Sequence, residues 1–430
     1  MQRSRPLKSA WPTLESAVTE LADPPSPPKT TETEPTAPAP APKSRGLASP
    51  EFLRLLAVQM LFGLSYSSFL LLPKFLRVEL HAPASQIGRV MGAAPIAAAV
   101  IAPFVGDLAS RFSRLSVLRL ALLAEAIAAF GFCFSTEVGL LTYVFRALQG
   151  LAWVSVFNLT ATMAADLVPE KKMAQAIGYL GLAMLMTNAI APGIAEPLAA
   201  SVGYLPVYLS AGVLVASALL VVPGLKSARK FDAPQVSRAS SGELKSGRIL
   251  AIHYGSFLLG IGIGSMFTYL QPFAIELGAK VVGSFFFGYV GAAMFVRGVL
   301  ADFTDRVGPA RVTVASFLLY ALTVGGTAFL RPDALLLVGI GLGISHGFGY
   351  PALTAAGFRG VPREARGRFM SWYTFSFNAG YAFTALLLGP WIDRFGFSVV
   401  FLANGLLIFS GAVAIFMTQL RAGALYSSAG

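Results

Sequence analysis

Charge is scarce in this chain. Of its 430 residues only 13% are Asp, Glu, Lys or Arg, while 55% are hydrophobic. A soluble domain carries about 25% charged residues, so much of the chain lacks what a wetted surface requires. Acids are the rarer sign, 21 against 33 basic residues, for a formal net charge of +12. That balance would suit nucleic acid. The positives, however, sit in short loops between apolar runs, where the positive-inside bias places them, and no nucleic-acid partner is expected. Cysteine is almost absent: the single Cys133 lies in an apolar run and excludes intrachain disulfides and any cysteine-rich metal site. There is no HExxH, no P-loop lysine motif and no CxxC. Gly260, Gly262 and Gly264 fall inside an apolar segment, where small residues permit close helix contact rather than cradle phosphate. No enzyme activity, metal or cofactor is expected. With no nucleotide site, any work must draw on an ion or solute gradient.

What the chain does have is long apolar runs. Crossing a bilayer takes about 20 apolar residues as a helix. Twelve runs qualify: 52–74, 86–106, 115–134, 138–164, 173–198, 203–223, 249–274, 282–301, 311–330, 334–357, 367–390 and 396–418. The expected fold is all-α, with twelve transmembrane helices in two six-helix pseudo-repeats, 49–223 and 249–420. Residues 1–48 hold Pro-Pro-Ser-Pro-Pro and Pro-Ala-Pro-Ala-Pro, lack the apolar core of a secretory signal, and read as a disordered tail. Residues 224–248 form a basic linker between the halves, and 421–430 a short tail. Basic residues gather on one side: Arg111 and Arg114, Lys171 and Lys172, the linker, Arg306 and Arg311, then Arg359 to Arg368. The bias puts both termini in the cytoplasm, in an integral multi-pass membrane protein. Phe (33) outnumbers Tyr (13) and Trp (4) together, as expected where side chains face lipid.

The halves repeat. Gly106-Asp107-Leu108-Ala109-Ser110-Arg111-Phe112-Ser113-Arg114 aligns with a second charged turn, Ala301-Asp302-Phe303-Thr304-Asp305-Arg306-Val307-Gly308. Val168-Pro169 ahead of Tyr179 matches Val361-Pro362 ahead of Tyr373, Asn188 matches Asn378, and Gly203-Tyr204 matches Gly396-Phe397. Four matches in one order argue for duplication, one of the known plans for transporters.

These motifs resemble those of the major facilitator superfamily over roughly 50–420. Its Gly-x-x-x-Asp-Arg-x-Gly-Arg loop is matched at Gly106, Arg111 and Arg114, while Ser110 replaces the acid and Ser113 the glycine. The second copy keeps Asp305, Arg306 and Gly308, with Arg297 and Asp302 ahead of them. Arg146-Ala147-Leu148-Gln149-Gly150 is similar to the family's helix-four motif, and Pro192-Gly193 to the helix-five motif of its exporters. The resemblance extends to bacterial efflux-permease-like members. It implies that Asp107, Arg111, Arg114 and their second copies latch the two lobes, and that helices one, four, seven and ten line a central cavity. As membrane residues alone, the same charges would serve as positive-inside anchors.

Candidate cavity residues follow helical stripes. Arg146, Gln149, Gly150, Trp153 and Phe157 share one face of the fourth span. A basic group near mid-membrane costs about 2.5–3.5 kcal/mol and faces the bundle interior or snorkels to its boundary. In the interior Arg146 would hold an anion or modulate a nearby carboxylate. His346, Tyr350 and Thr354 form a second stripe, and histidine ordinarily titrates near neutral pH. Gln59 and Tyr66 in the first span, and Tyr269 in the seventh, complete the set. Proton-coupling candidates are His346, Glu125 and Glu196. The expected function is a secondary transporter, acting as a monomer, that exports a small amphipathic organic solute in exchange for H+ by alternating access. Uptake of a sugar or organic acid is the alternative, and a non-transporting membrane sensor or scaffold a third reading.

Overall fold

A computed structural model describes residues 47–169, 172–225, 246–300, 302–359, 361 and 366–427. The expectations for residues 1–46, for 226–245 of the linker and for the last three residues lie outside the described residues, as does the side chain of Asp305.

No strand occurs among the described residues. The chain forms helices α1 (Pro50–Val78), α2 (Ala84–Phe112), α3 (Arg114–Phe132), α4 (Leu140–Leu167), α5 (Met173–Val202) and α6 (Tyr204–Gly224). After the linker come α7 (Gly247–Glu276), α8 (Gly283–Val299), α9 (Pro309–Phe329), α10 (Pro332–Phe358), α11 (Arg366–Phe395) and α12 (Phe397–Ser427). Ten are long and apolar enough to cross a membrane. Helix α8 is apolar but only 17 residues long. Helix α11 has 30 residues but is more polar, with Ser371, Thr374, Ser376 and Asn378 in its first half. Large apolar side chains such as Val100, Leu120, Leu220, Leu322 and Leu406 are exposed. In a chain this poor in charge, such a surface faces lipid, and the protein is a multi-pass membrane protein.

Local chemistry sets the helix ends. Ser49 Oγ accepts the Phe52 N–H at 3.3 Å, with Pro50 in the first turn, and Ser246 caps α7 in the same way. Helices α2 and α3 are divided by a single residue, Ser113, at φ 83°. The junctions α5–α6 and α11–α12 turn on Gly203 (φ 85°) and Gly396 (φ 82°), and α9 starts after Gly308 (φ 99°). Prolines inside α2, α5, α7, α10 and α11 do not end those helices. In a membrane bundle, neighbouring helices and hydroxyls take up the freed backbone groups.

Within α1–α6, α1 packs on α5 and α6, α2 on α4, and α3 on α4 and α6. Within α7–α12, α7 packs on α11 and α12, α8 on α10, and α9 on α10 and α12. The two groups meet along α2–α11 and α5–α8. At the first seam, a Cβ on Gly88 would strike the Ala385 carbonyl oxygen and the Tyr269 hydroxyl, and one on Gly389 would strike the backbone at Ala84 and Ser85. Lipid gives helices no hydrophobic reason to associate, so such close small-residue contacts carry the packing.

Candidate substrate site

Between the two groups lies a cavity of about 260 Å³. Its walls carry Tyr66, Phe69 and Leu70 from α1, Met91, Ala94, Pro95 and Ala98 from α2, and Arg146, Gly150 and Trp153 from α4. Met184 and Asn188 come from α5, Ile263 and Phe267 from α7, Tyr289 from α8, and His346 from α10. Helix α11 adds Phe377, Asn378 and Tyr381. Eight helices therefore contribute, where the resemblance implied four. The reason is the seam: α2, α5, α8 and α11 make the contact between the groups and so wall the gap they leave.

The α4 wall is built from a relay of buried polar groups. Arg146 Nη1 donates to Gln149 Oε1 at 2.8 Å, and Gln149 Nε2 donates to Glu125 Oε1 at 3.2 Å. The Arg146 guanidinium carbon lies 5.8 Å from the Tyr66 ring centre. Arg146 Nε and Glu125 Oε2 are buried with no hydrogen-bond partner. Gly150, one turn on, lets the Ala94 carbonyl come close enough that a Cβ would collide with it. That contact sets α2 against α4 and keeps Arg146 at the wall. Opposite, the Tyr289 hydroxyl meets His346 Nδ1 at 3.2 Å, and His346 Nε2 has no partner. Ser67 Oγ donates to Asn188 Oδ1 at 2.8 Å and fixes that amide.

Of the residues expected from sequence, Tyr66, Arg146, Gly150, Trp153 and His346 line the cavity. The others do not. Gln59 is buried behind it, accepting the Thr160 hydroxyl at 2.9 Å. Gln149 sits one layer back in the relay. Phe157 is 40% exposed and stacks on Trp153, because its position on the stripe has turned past the cavity. Tyr269 donates to the Ala385 carbonyl at 2.9 Å and belongs to the α2–α11 seam. Tyr350 packs on Tyr373 and Phe377, and Thr354 returns its hydroxyl to the Tyr350 carbonyl. Glu125, placed away from the cavity by the resemblance, is tied to its wall through Gln149. Asn188 and Asn378 were not singled out as cavity residues. Their signal was present, as a polar pair that the sequence aligns between the fifth and eleventh spans.

Hydrogen bonds and an ion pair bridge the two groups at one end of the bundle. There Glu196 accepts Lys74 Nζ at 2.5 Å within α1–α6, and also the N–H groups of Val282 and Gly283 at 2.7 and 2.6 Å at the start of α8. Lys74 also donates to the Lys280 carbonyl at 2.8 Å. Asp393 at the end of α11 accepts the N–H groups of Ala84 and Ser85 at 2.9 and 3.1 Å at the start of α2. Arg77 pairs with Glu276 at 3.2 Å, and Gln271 donates to the Leu70 carbonyl at 2.6 Å. Pro192 is buried in the middle of α5, and a Cβ on Gly193 would strike the Phe287 ring of α8.

The charged turns lie at the opposite end. Gly106 is half-buried, and Asp107, Arg111, Arg297, Asp302 and Arg306 are exposed. Arg114 is buried and bonds Asp166 at the end of α4, a contact inside α1–α6 rather than between the groups. Arg297 lines a second opening of about 460 Å³ between α5 and α8 at this end, with Tyr179 and Leu182 facing it.

Relatives and known structures agree with this architecture. The chain is 25% identical over 343 residues to the multidrug resistance protein MdtG of Enterobacter lignolyticus, covering 76% of this chain and 80% of that one. It is 24% identical over 395 residues to the staphylopine export protein of Staphylococcus aureus, covering 85% and 95%. With the multi-drug resistance efflux pump PmrA of Streptococcus pneumoniae it shares 24% over 352 residues, or 75% and 83% of the two chains. Its fold matches the nucleoside transporter NupG with a TM-score of 0.71 at 16% identity, covering 86% of this chain and 99% of that one. The POT family transporter PepTSo gives 0.71 at 12% identity, covering 86% and 98%. The Major Facilitator Superfamily model matches residues 55–383 and 281–424, and the chain belongs to that family of transporters, not enzymes.

Proposed function

We propose that this chain is a secondary transporter of twelve membrane helices in two pseudo-repeats, exporting small amphipathic organic solutes by alternating access in exchange for protons. The observation that carries the reading is the cavity between the groups, rich in aromatic rings, with the groups bridged at the Lys74 end and the opening at Arg297 at the other. A pocket with an apolar body and a few convergent polar groups suits an amphipathic solute. The matching order of helix contacts in α1–α6 and α7–α12 supports the duplication. The names of the relatives, two of them multidrug or efflux proteins and one an exporter, support the direction. The positive-inside bias puts the charged turns and both termini on the cytoplasmic side of a bacterial inner membrane.

Glu125 is the proton site in this reading. Its bare Oε2 lies in the relay that ends at the cavity wall. A proton crossing 100 mV supplies about 2.3 kcal/mol, enough to bias two access states that differ in proton affinity. The test uses the full chain in liposomes with an amphipathic dye. An imposed pH gradient should drive dye uptake into vesicles whose charged-turn face is outward. Glu125→Gln should lower that flux at least about tenfold while leaving dye exchange without a gradient intact. Gradient-independent flux in the unmodified protein would remove the proton from the mechanism.

A further inference from the structure

The geometry points to an organic anion, a carboxylate on a planar apolar body, as the solute class recognised by Arg146. The inference rests on the cavity being the transport site and specifies what that site takes.

Among the described residues lining the cavity there is one permanent cation, Arg146, and no Asp or Glu. Arg146 is only 4% exposed. Buried charges are ordinarily paired with an opposite charge and have their donors satisfied. Arg146 is not so served: one Nη meets the neutral amide of Gln149, the Tyr66 ring covers a face, and Nε has nothing. Glu125 stands beyond the amide and attracts Arg146 through space, but makes its hydrogen bond to Gln149 and no direct ion pair with the guanidinium. The partner that such a guanidinium calls for is an acceptor carrying negative charge. A guanidinium fork matches a carboxylate better than any other common organic group.

The rest of the wall accepts the body of such a molecule. Trp153, Tyr66 and Phe267 offer ring faces and edges. The amides of Asn188 and Asn378 and the free Nε2 of His346 give a distal polar substituent its partners. An organic cation would meet the guanidinium with no carboxylate at the wall to offset it. A neutral body would leave Nε bare.

Charge also fixes the electrical signature. Exchange of a monoanion leaving for a proton entering moves two positive charges inward per cycle. A neutral solute moves one, and a monocation none.

The test compares a naphthalene carboxylate with its neutral amide and its ammonium analogue, on the purified full chain by titration calorimetry. The carboxylate should bind at least about tenfold tighter than the amide, a difference of about 1.4 kcal/mol, and the ammonium compound weakest. Arg146→Gln should erase the preference, and Arg146→Lys should restore part of it. Equal or tighter binding of the amide or the ammonium compound, or no carboxylate binding to folded protein, overturns the proposal. These comparisons need no variant and survive a misfolded Arg146→Gln. In liposomes, carboxylate flux should rise with a valinomycin-set potential. Carboxylate-selective binding with no flux of any probe would sink the transport reading and leave the anion site. Flux of the ammonium compound without carboxylate preference would sink the anion site and leave transport.

Discussion

Ser113 holds a conformation that its chemistry resists. At φ 83° and ψ 145° it lies in a region occupied almost only by glycine. Its counterpart in the second charged turn is Gly308, at φ 99° and ψ 129°. The Ser113 hydroxyl gives something back, accepting the Ser116 N–H at 3.2 Å as the cap of α3. Strain of this type costs about 1–3 kcal/mol, whereas replacing a serine cap by glycine costs only a few tenths. Ser113→Gly should therefore raise the unfolding midpoint of the purified protein by a few degrees, read by thermal unfolding in detergent. An unchanged or lower midpoint would mean that the cap outweighs the strain. At this scale the sequence was informative about residue type and poor about direction. It marked Arg146, Tyr66, Trp153 and His346, whose burial follows from being polar or aromatic within apolar runs. It could not tell that Phe157 turns outward, that Gln59 and Tyr269 bond to neighbouring helices or that Thr354 bonds back onto its own, because a stripe specifies a face and not what that face meets.

The helices themselves were more legible than their ends or contacts. Apolar length places a span, so ten of the expected runs coincide with helices able to cross a membrane. Helix α5 runs to Val202 and α11 to Phe395, beyond the expected 198 and 390, since helices continue past the apolar window with polar turns. No pattern in one sequence shows which helices touch. The α2–α11 seam depends on Gly88 and Gly389, two glycines with nothing in their local spacing to set them apart from the chain's 43. Their absent side chains let backbone meet backbone where the groups close. Gly88→Val would place three carbons against the Ala385 carbonyl and the Tyr269 hydroxyl. The obstacle lies at the seam and not inside either group, so the variant should still insert and fold. Closure at the Lys74 end should fail, and transport should fall at least about tenfold, equivalent to about 1.4 kcal/mol of bias against the closed state. Membrane abundance and flux measured together separate the cases: a parallel loss of both would place Gly88 in folding instead.

For the whole molecule, the two carboxylates at the Lys74 end form a reciprocal pair. Glu196, near the end of α5, holds the first N–H groups of α8. Asp393, near the end of α11, holds the first N–H groups of α2. The fifth helix of each group thus caps the second helix of the other. Helix N-termini present unpaired N–H groups and partial positive charge, so a carboxylate is favoured there even where, as at Asp393, no side-chain cation is bonded to it. The family resemblance directed attention to Asp107 and Arg111 at the other end, and the latches at this end have no motif to announce them. Glu196 is buried and also holds Lys74, whereas Asp393 is exposed. Water competes with the second latch more than with the first, so the two should contribute unequally. A cysteine placed at Asn188, in a background with Cys133→Ala, reports access to the cavity. An impermeant maleimide applied from the Lys74 side should label it slowly in the parent. Asp393→Asn should quicken labelling a few-fold, Glu196→Gln about tenfold, and the double variant by more than either, with the opposite dependence for reagent applied from the charged-turn side. A shift from one side alone would signal local loosening. The reciprocal change is what links both latches to a single rocking equilibrium, and equal rates in all four proteins would show that closure at this end rests on the glycine seam alone.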